Sequence, residues 1–146
     1  MRSSIYTKKG PEEAGTFTVE ELMQSAVITT YPNITGLTIA HMLSEGNFGS
    51  IPVIDTDRRL LGLVSEYDLL QAIDEGKDLR EVTADQLMSR SLITVTEETS
   101  VSDLIRLLQD HHALRVPVVR GETLVGIVAR RDVLFGYVQA MGNYWP

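Results

Sequence analysis

The apolar positions of this chain fall into two series that restate each other. Val101, Leu104, Ile105 and Leu108 recur at helical spacing, and Ile39, Ala40 and Leu43 show the same interval earlier. In both series two short apolar runs follow, Ile51–Ile54 and Leu60–Val64, then Val116–Val119 and Leu124–Val128. Asp55–Arg59 and Arg120–Thr123 separate the members of each pair and read as hairpin turns. A closing helix is predicted from Ser65, carrying Leu69, Leu70 and Ile73, and again from Ala129, carrying Val133, Leu134 and Val138. Each series also opens on a helix start. Thr18 with Glu21 makes a capping box that Phe17 and Leu22 can staple, and Thr83 with Gln86, flanked by Val82 and Leu87, repeats the device. Extended segments are predicted at Val27–Thr30 and Leu92–Val95. Thr35 and Ser100 cap the second helix, Ser100 with Asp103 as a further box, and Gly46 supplies a stop in the first copy. The predicted order in each copy is helix, strand, helix, strand, strand, helix, a mixed α/β (α+β) pattern.

The two series are in register. Thr18, Leu22, Met23, Ile28, Thr29, Leu43 and Pro52 recur 65 positions later as Thr83, Leu87, Met88, Ile93, Thr94, Leu108 and Pro117. After one deletion in the hairpin turn, Gly62, Val64, Asp68 and Leu70 recur 64 positions later as Gly126, Val128, Asp132 and Leu134. A repeat of this size is a supersecondary unit whose apolar face needs a neighbour to cover it. The expected organisation is an N-terminal arm (1–16), a first repeat (17–76), a charged linker (77–81), a second repeat (82–141) and a short tail (142–146) ending in Tyr144 and Trp145. The aromatic tail is expected to cover a core edge or a subunit contact.

Charge and composition narrow the function. The net charge of −7 argues against binding nucleic acid through its backbone, which needs a cationic surface. Residues 17–76 hold nine acidic residues against two arginines, whereas 82–141 hold seven against six. Charge partners for an anionic ligand are therefore expected from the second repeat. Cysteine is absent, which excludes disulfides and thiolate chemistry. The start of the chain lacks the apolar run of a signal peptide, and no stretch is long enough to span a bilayer, so a cytoplasmic protein is expected. His111 and His112 are adjacent on a helix end and diverge, so no metal site is expected from them. No nucleophile–base pair and no glycine-rich phosphate loop is present, so the chain does not read as an enzyme.

With Ile51, Pro52 and Val53 in one copy and Val116, Pro117 and Val118 in the other, the pattern resembles a tandem pair of CBS domains, named after cystathionine beta-synthase. Residues 62–68 (GLVSEYD) and 126–132 (GIVARRD) are similar to that family's signature of glycine, two apolar residues, Thr or Ser, two variable residues and Asp. The resemblance covers residues 17–141. It implies two repeats with a βαββα core, packed with pseudo-twofold symmetry through their sheets, and two clefts between the repeats. It further implies a regulatory module, commonly a homodimer, that binds an adenosine nucleotide (AMP, ADP or ATP) and is read by an effector protein. S-adenosylmethionine or a cyclic dinucleotide is the alternative ligand, and a constitutive dimerisation scaffold without ligand is the alternative function. No covalent cofactor is implied.

Carried over residue by residue, the resemblance gives two candidate sites. One uses Asp132, Arg131 and Arg115, with Ser25, Ala26 and Val27 against the base, and departs from the pattern at Ala129, where a hydroxyl is expected. The other uses Asp68, Ser65 and Ser50, with Arg90, Ser91 and Leu92 against the base. The signature Asp is expected to take ribose hydroxyls. Helix capping competes for Asp68, because Ser65 and Asp68 form a capping box without any ligand. At Asp132 that explanation is weaker because Ala129 cannot complete the box. Phosphorylated ligands are expected to prefer the Asp132 site, whose two arginines favour an anion, while Glu66 would repel one at the other.

Overall fold

A computed structural model of the chain describes residues 17–46 and 48–142. The arm expected at 1–16 and the aromatic tail from 143 lie outside the described residues. The elements in chain order are α1 (Val19–Leu22), α2 (Gly36–Gly46), β1 (Ser50–Ile54), β2 (Leu60–Ser65) and α3 (Glu66–Asp74), then α4 (Ala84–Leu87), α5 (Val101–Asp110), β3 (Arg115–Arg120), β4 (Thr123–Ala129) and α6 (Arg130–Ala140). Helix and sheet are mixed, with two small sheets, β1–β2 and β3–β4.

The described chain forms two compact units, and neither is a contiguous stretch. One combines residues 28–92 with 121–124, and the other combines 17–27, 93–120 and 125–142. In the first, antiparallel β1 and β2 pair from Ser50 opposite Ser65 to Ile54 opposite Leu60, with an irregularity at Val53/Ile54. Alternation along β2 sends Val64 inward, where Ile39 and Leu43 of α2, Ile51 and Val53 of β1, and Leu69 of α3 close a buried cluster. Ala84 and Met88, from the start of the second sequence repeat, complete that cluster. The other unit repeats the scheme. Val101, Leu104 and Leu108 of α5 pack with Val116 and Val118 of β3 and Val128 of β4. Here Phe17, Val19 and Leu22, from the start of the first repeat, complete the core.

Backbone bonds show why each opening helix sits where it does. In one unit Ala84 N donates to Ile34 O (2.8 Å) and Gly36 N to Val82 O (2.7 Å), so the cap of α4 braces the cap of α2. In the other, Val19 N donates to Thr99 O and Val101 N to Phe17 O, both at 2.8 Å. Each opening helix thus satisfies orphan N–H groups of a helix from the other repeat, and its own in return.

The segment after each opening helix runs along a sheet edge. Ser89 exchanges both backbone bonds with Leu63 of β2, and Gln24 does the same with Ile127 of β4. The chain approaches so closely that a Cβ on Gly62 would lie 2.7 Å from Ser89 O, and one on Gly126 would lie 2.9 Å from Gln24 O. Glycine at these signature positions is a steric requirement.

Two expectations are refined. The opening helices are single turns of four residues, too short to stand without the caps they share. The extended segments after them are not full strands. Thr30 and Val95 each form one parallel bridge, to Val53 and Val118. Thr30 N donates to Pro52 O, and Val95 N to Pro117 O. Ile28, two residues before the bridge, is exposed. The charged linker is also anchored, since Leu37 N donates to Leu79 O at 2.9 Å.

Candidate functional site

In each predicted set the strand-end and helix-start residues lie at the same corner of their sheet, where the first strand of a hairpin begins, the second ends and the closing helix starts. Ser50 opens β1 directly opposite Ser65, the last residue of β2 and the N-cap of α3. Arg115 opens β3, and Ala129 ends β4 as the N-cap of α6. A further bond fixes each corner: Glu66 N donates to Gly49 O, and Arg130 N to Leu114 O, both at 2.9 Å. Each set also lies within one compact unit, because the opening helix has joined the other repeat's core. Ser25, Ala26 and Val27 are in the same unit as Asp132, and Arg90, Ser91 and Leu92 in the same unit as Asp68. Residues from different repeats therefore meet inside one unit.

The Asp68 corner is a complete capping box. Ser65 N donates to Asp68 Oδ2 (2.8 Å), and Asp68 N donates to Ser65 Oγ (3.1 Å). Asp68 is half-buried, as is Ser50, which pairs with Ser65. The Arg90 guanidinium donates to Asp85 Oδ1 at 2.6 Å at the surface. Glu66 is exposed on the first turn of α3.

At the Asp132 corner the balance is different. Asp132 is only 6% exposed and is the one buried carboxylate among the described residues. Ala129 N still donates to Asp132 Oδ2 at 2.8 Å, so half of the box survives without the hydroxyl. The other oxygen, Oδ1, accepts from Gln24 Nε2 at 3.1 Å. Arg115 is half-buried, and burial pulls its guanidinium below the usual arginine range while the charge of Asp132 opposes the shift. Arg131 is exposed on the first turn of α6, where the helix dipole adds to its charge.

Sequence reading missed Gln24. Its only linear signal is its place immediately before the Ser25–Val27 stretch, with serine at the corresponding position, Ser89. Among the described residues no group of three or more His, Asp or Glu side chains is placed to hold a metal, and no helix is long and apolar enough to cross a membrane.

A fold of two like units, each ending a hairpin on an aspartate-headed helix, defines a tandem-repeat module with two comparable corners. The chain belongs to the CBS domain family: the CBS domain model matches residues 19–75 and 81–138. CBS domain-containing protein YhcV of Bacillus subtilis is 31% identical over 116 residues, covering 79% of this chain and 81% of that protein. Hypoxic response protein 1 of Mycobacterium tuberculosis is 27% identical over 117 residues, covering 80% of this chain and 82% of the relative. An uncharacterised protein of Methanopyrus kandleri is 33% identical over 118 residues, and the match spans 80% of this chain but only 60% of that protein. Among solved structures, CBSX2 in complex with AMP is similar at a TM-score of 0.76 with 30% identity, over 84% of this chain and 97% of that one. The CBS domain pair of protein MJ0100, in complex with 5′-methylthioadenosine and S-adenosyl-L-methionine, is similar at 0.73 with 27% identity, over 83% and 97%.

Proposed function

We propose that this chain is a regulatory ligand-sensing module that binds an adenosine nucleotide at the Asp132 corner. The observation that carries the reading is a buried carboxylate at a helix N-terminal turn with a half-buried arginine beside it. Asp132 accepts from ribose hydroxyls, while Arg115 and Arg131 receive phosphate. Hydrogen bonds to a charged group contribute about 1.5–3 kcal/mol each. The AMP-bound and S-adenosylmethionine-bound neighbours both support an adenosine moiety, and the arginines favour the phosphorylated one. The role is non-catalytic: binding shifts a conformational equilibrium by the ligand's differential affinity for the two arrangements, and a partner protein in the cytoplasm reads the result.

Calorimetry with AMP tests this. Asp132→Ala is expected to weaken binding by about 2 kcal/mol, roughly thirtyfold, while Asp68→Ala leaves it nearly intact. A larger loss from Asp68→Ala reverses the assignment of the two corners. Thermal shift with AMP, ADP, ATP and S-adenosylmethionine ranks the ligands, since saturation at one hundred times Kd adds about 2.7 kcal/mol.

A ligand-free scaffolding role is the second reading, and the Asp68 corner favours it locally. There Ser65 and Asp68 engage each other as a helix cap without any ligand. If no candidate ligand raises the melting temperature, the scaffold reading replaces the sensor.

A further inference from the structure

We infer that Gln24 is the positioning residue for the Asp132 carboxylate, which makes this corner chemically distinct from its counterpart; the inference rests on the reading of Asp132 as a ligand contact. Asp132 is held from two directions. Oδ2 accepts from Ala129 N in its own helix turn, and Oδ1 accepts from Gln24 Nε2, a residue 108 positions away along the chain. At Asp68 the carboxylate accepts at Oδ2 from Ser65 N. The other bond of that box runs from the Asp68 backbone N–H to the Ser65 hydroxyl, which leaves the carboxylate's orientation to the Ser65 N contact alone among the described residues.

The two corners differ at two corresponding positions at once. The Asp68 corner has a hydroxyl on the cap (Ser65) and a serine on the sheet edge (Ser89). The Asp132 corner has a methyl on the cap (Ala129) and a glutamine on the edge. The backbones of Gln24 and Ser89 are equivalent, since Gln24 N donates to Ile127 O at 2.8 Å and Ser89 N to Leu63 O at 2.9 Å. Only the longer side chain carries an amide donor out to the aspartate. Glutamine on the edge thus gives the Asp132 carboxylate a second restraint, at Oδ1, that the Asp68 carboxylate does not receive from Ser89.

The consequence is preorganisation. A carboxylate offers about four lone-pair sites over its two oxygens, and a bond to each oxygen fixes the plane of the group. Gln24 is anchored at both its N–H and its C=O, which leaves only its own side-chain torsions to vary. A carboxylate fixed in this way loses less freedom when it accepts from a vicinal diol.

Gln24→Ala and Gln24→Glu in the full chain test the inference, with AMP as the probe. Gln24→Ala is expected to weaken AMP about tenfold, the loss of one orienting bond to a charged group. Gln24→Glu should weaken it at least as much at neutral pH, where two carboxylates face each other. Its deficit should shrink in mildly acid solution, where a protonated Glu donates as Gln does. Unchanged AMP affinity in both variants overturns the inference, as does a loss in Gln24→Glu that does not respond to pH. A ligand-free measurement separates this from failure of the AMP reading. The Gln24 side-chain amide resonance should move on Asp132→Asn, whether or not AMP binds the native chain. An amide signal indifferent to that substitution also overturns the inference.

Discussion

Ser65 and Ala129 occupy equivalent places, and one oxygen atom separates them. Ser65 Oγ accepts the Asp68 N–H, whereas at Ala129 the Asp132 N–H has no such acceptor on the cap. Replacing Ser by Ala at an N-cap costs about 1 kcal/mol. Ser65→Ala is therefore expected to lower stability by about that amount, and Ala129→Ser to raise it by a similar amount by completing the box. Urea denaturation of the two single variants checks both signs, and destabilisation by Ala129→Ser would count against the cap argument. The hairpin turn offers a pH test at the same scale. The Arg59 backbone N–H, 2.9 Å from Asp55 Oδ1, lowers the Asp55 carboxyl below its usual range, helped by the Asp57 N–H and the Arg59 guanidinium. A carboxylate with a depressed folded pKa stabilises the folded state above the unfolded value, and the effect disappears as pH falls through the folded one. Amide signals of residues 55–59 should stay native through the ordinary aspartate range and change only at more acid pH. The aspartates at both corners were legible from the signature spacing. The orienting partner of Asp132 was not, because nothing local ties Gln24 to it.

At the scale of elements, patterning worked where a segment buries a face of its own. The helical spacing of Val101, Leu104 and Leu108 is met by a helix at Val101–Asp110 with those three residues buried. Both hairpins follow their apolar runs. It overstated the segments after the opening helices, where a strand-like sequence meets a single bridging residue and then leaves the sheet. The sheet-edge glycines give the sharpest test of how these segments are held. Gly62→Ala and Gly126→Ala would push a methyl against a backbone carbonyl and a methionine sulfur, and such overpacking costs about 1–3 kcal/mol. Gly142→Ala, with no atom within 4 Å of the added carbon, is the control and should be close to neutral. Melting temperatures of the three variants decide it. A neutral Gly62→Ala would mean that the Ser89 segment does not pass so close to β2.

On the scale of the molecule, apolar side chains remain exposed on both closing helices. Tyr67 is 71% exposed and Leu70 65% on α3, and Leu134 is 66% exposed on α6, followed by Phe135, Tyr137 and Val138. A groove of about 290 Å³ between α5 and α6, lined by Ile105, Leu108, Val133 and Leu134 among others, adjoins the exposed apolar side of α6. We propose that these helices pair two chains into a homodimer. Light scattering is expected to give about twice 16.2 kDa, and Leu134→Glu should shift the population to monomer without lowering the helix content. A native mass near that of one chain at micromolar concentration removes the proposal.

Most of what defines the family was written in the linear chain. The repeat, its element types, the glycine and aspartate of each signature and the acidic bias of the first copy all follow from local spacing, capping chemistry and charge. These properties depend on neighbours a few positions apart, so a single sequence exposes them. Tertiary structure alone decided which core each opening helix joins. The two copies present nearly the same apolar and capping residues, and periodicity states that a face is buried without stating against what. That exchange carries Ser25–Val27 into the unit of Asp132 and brings the Gln24 amide to within 3.1 Å of its carboxylate. The chemistry that distinguishes the two corners is thus a product of chain crossing, which acts at a distance that sequence spacing cannot measure.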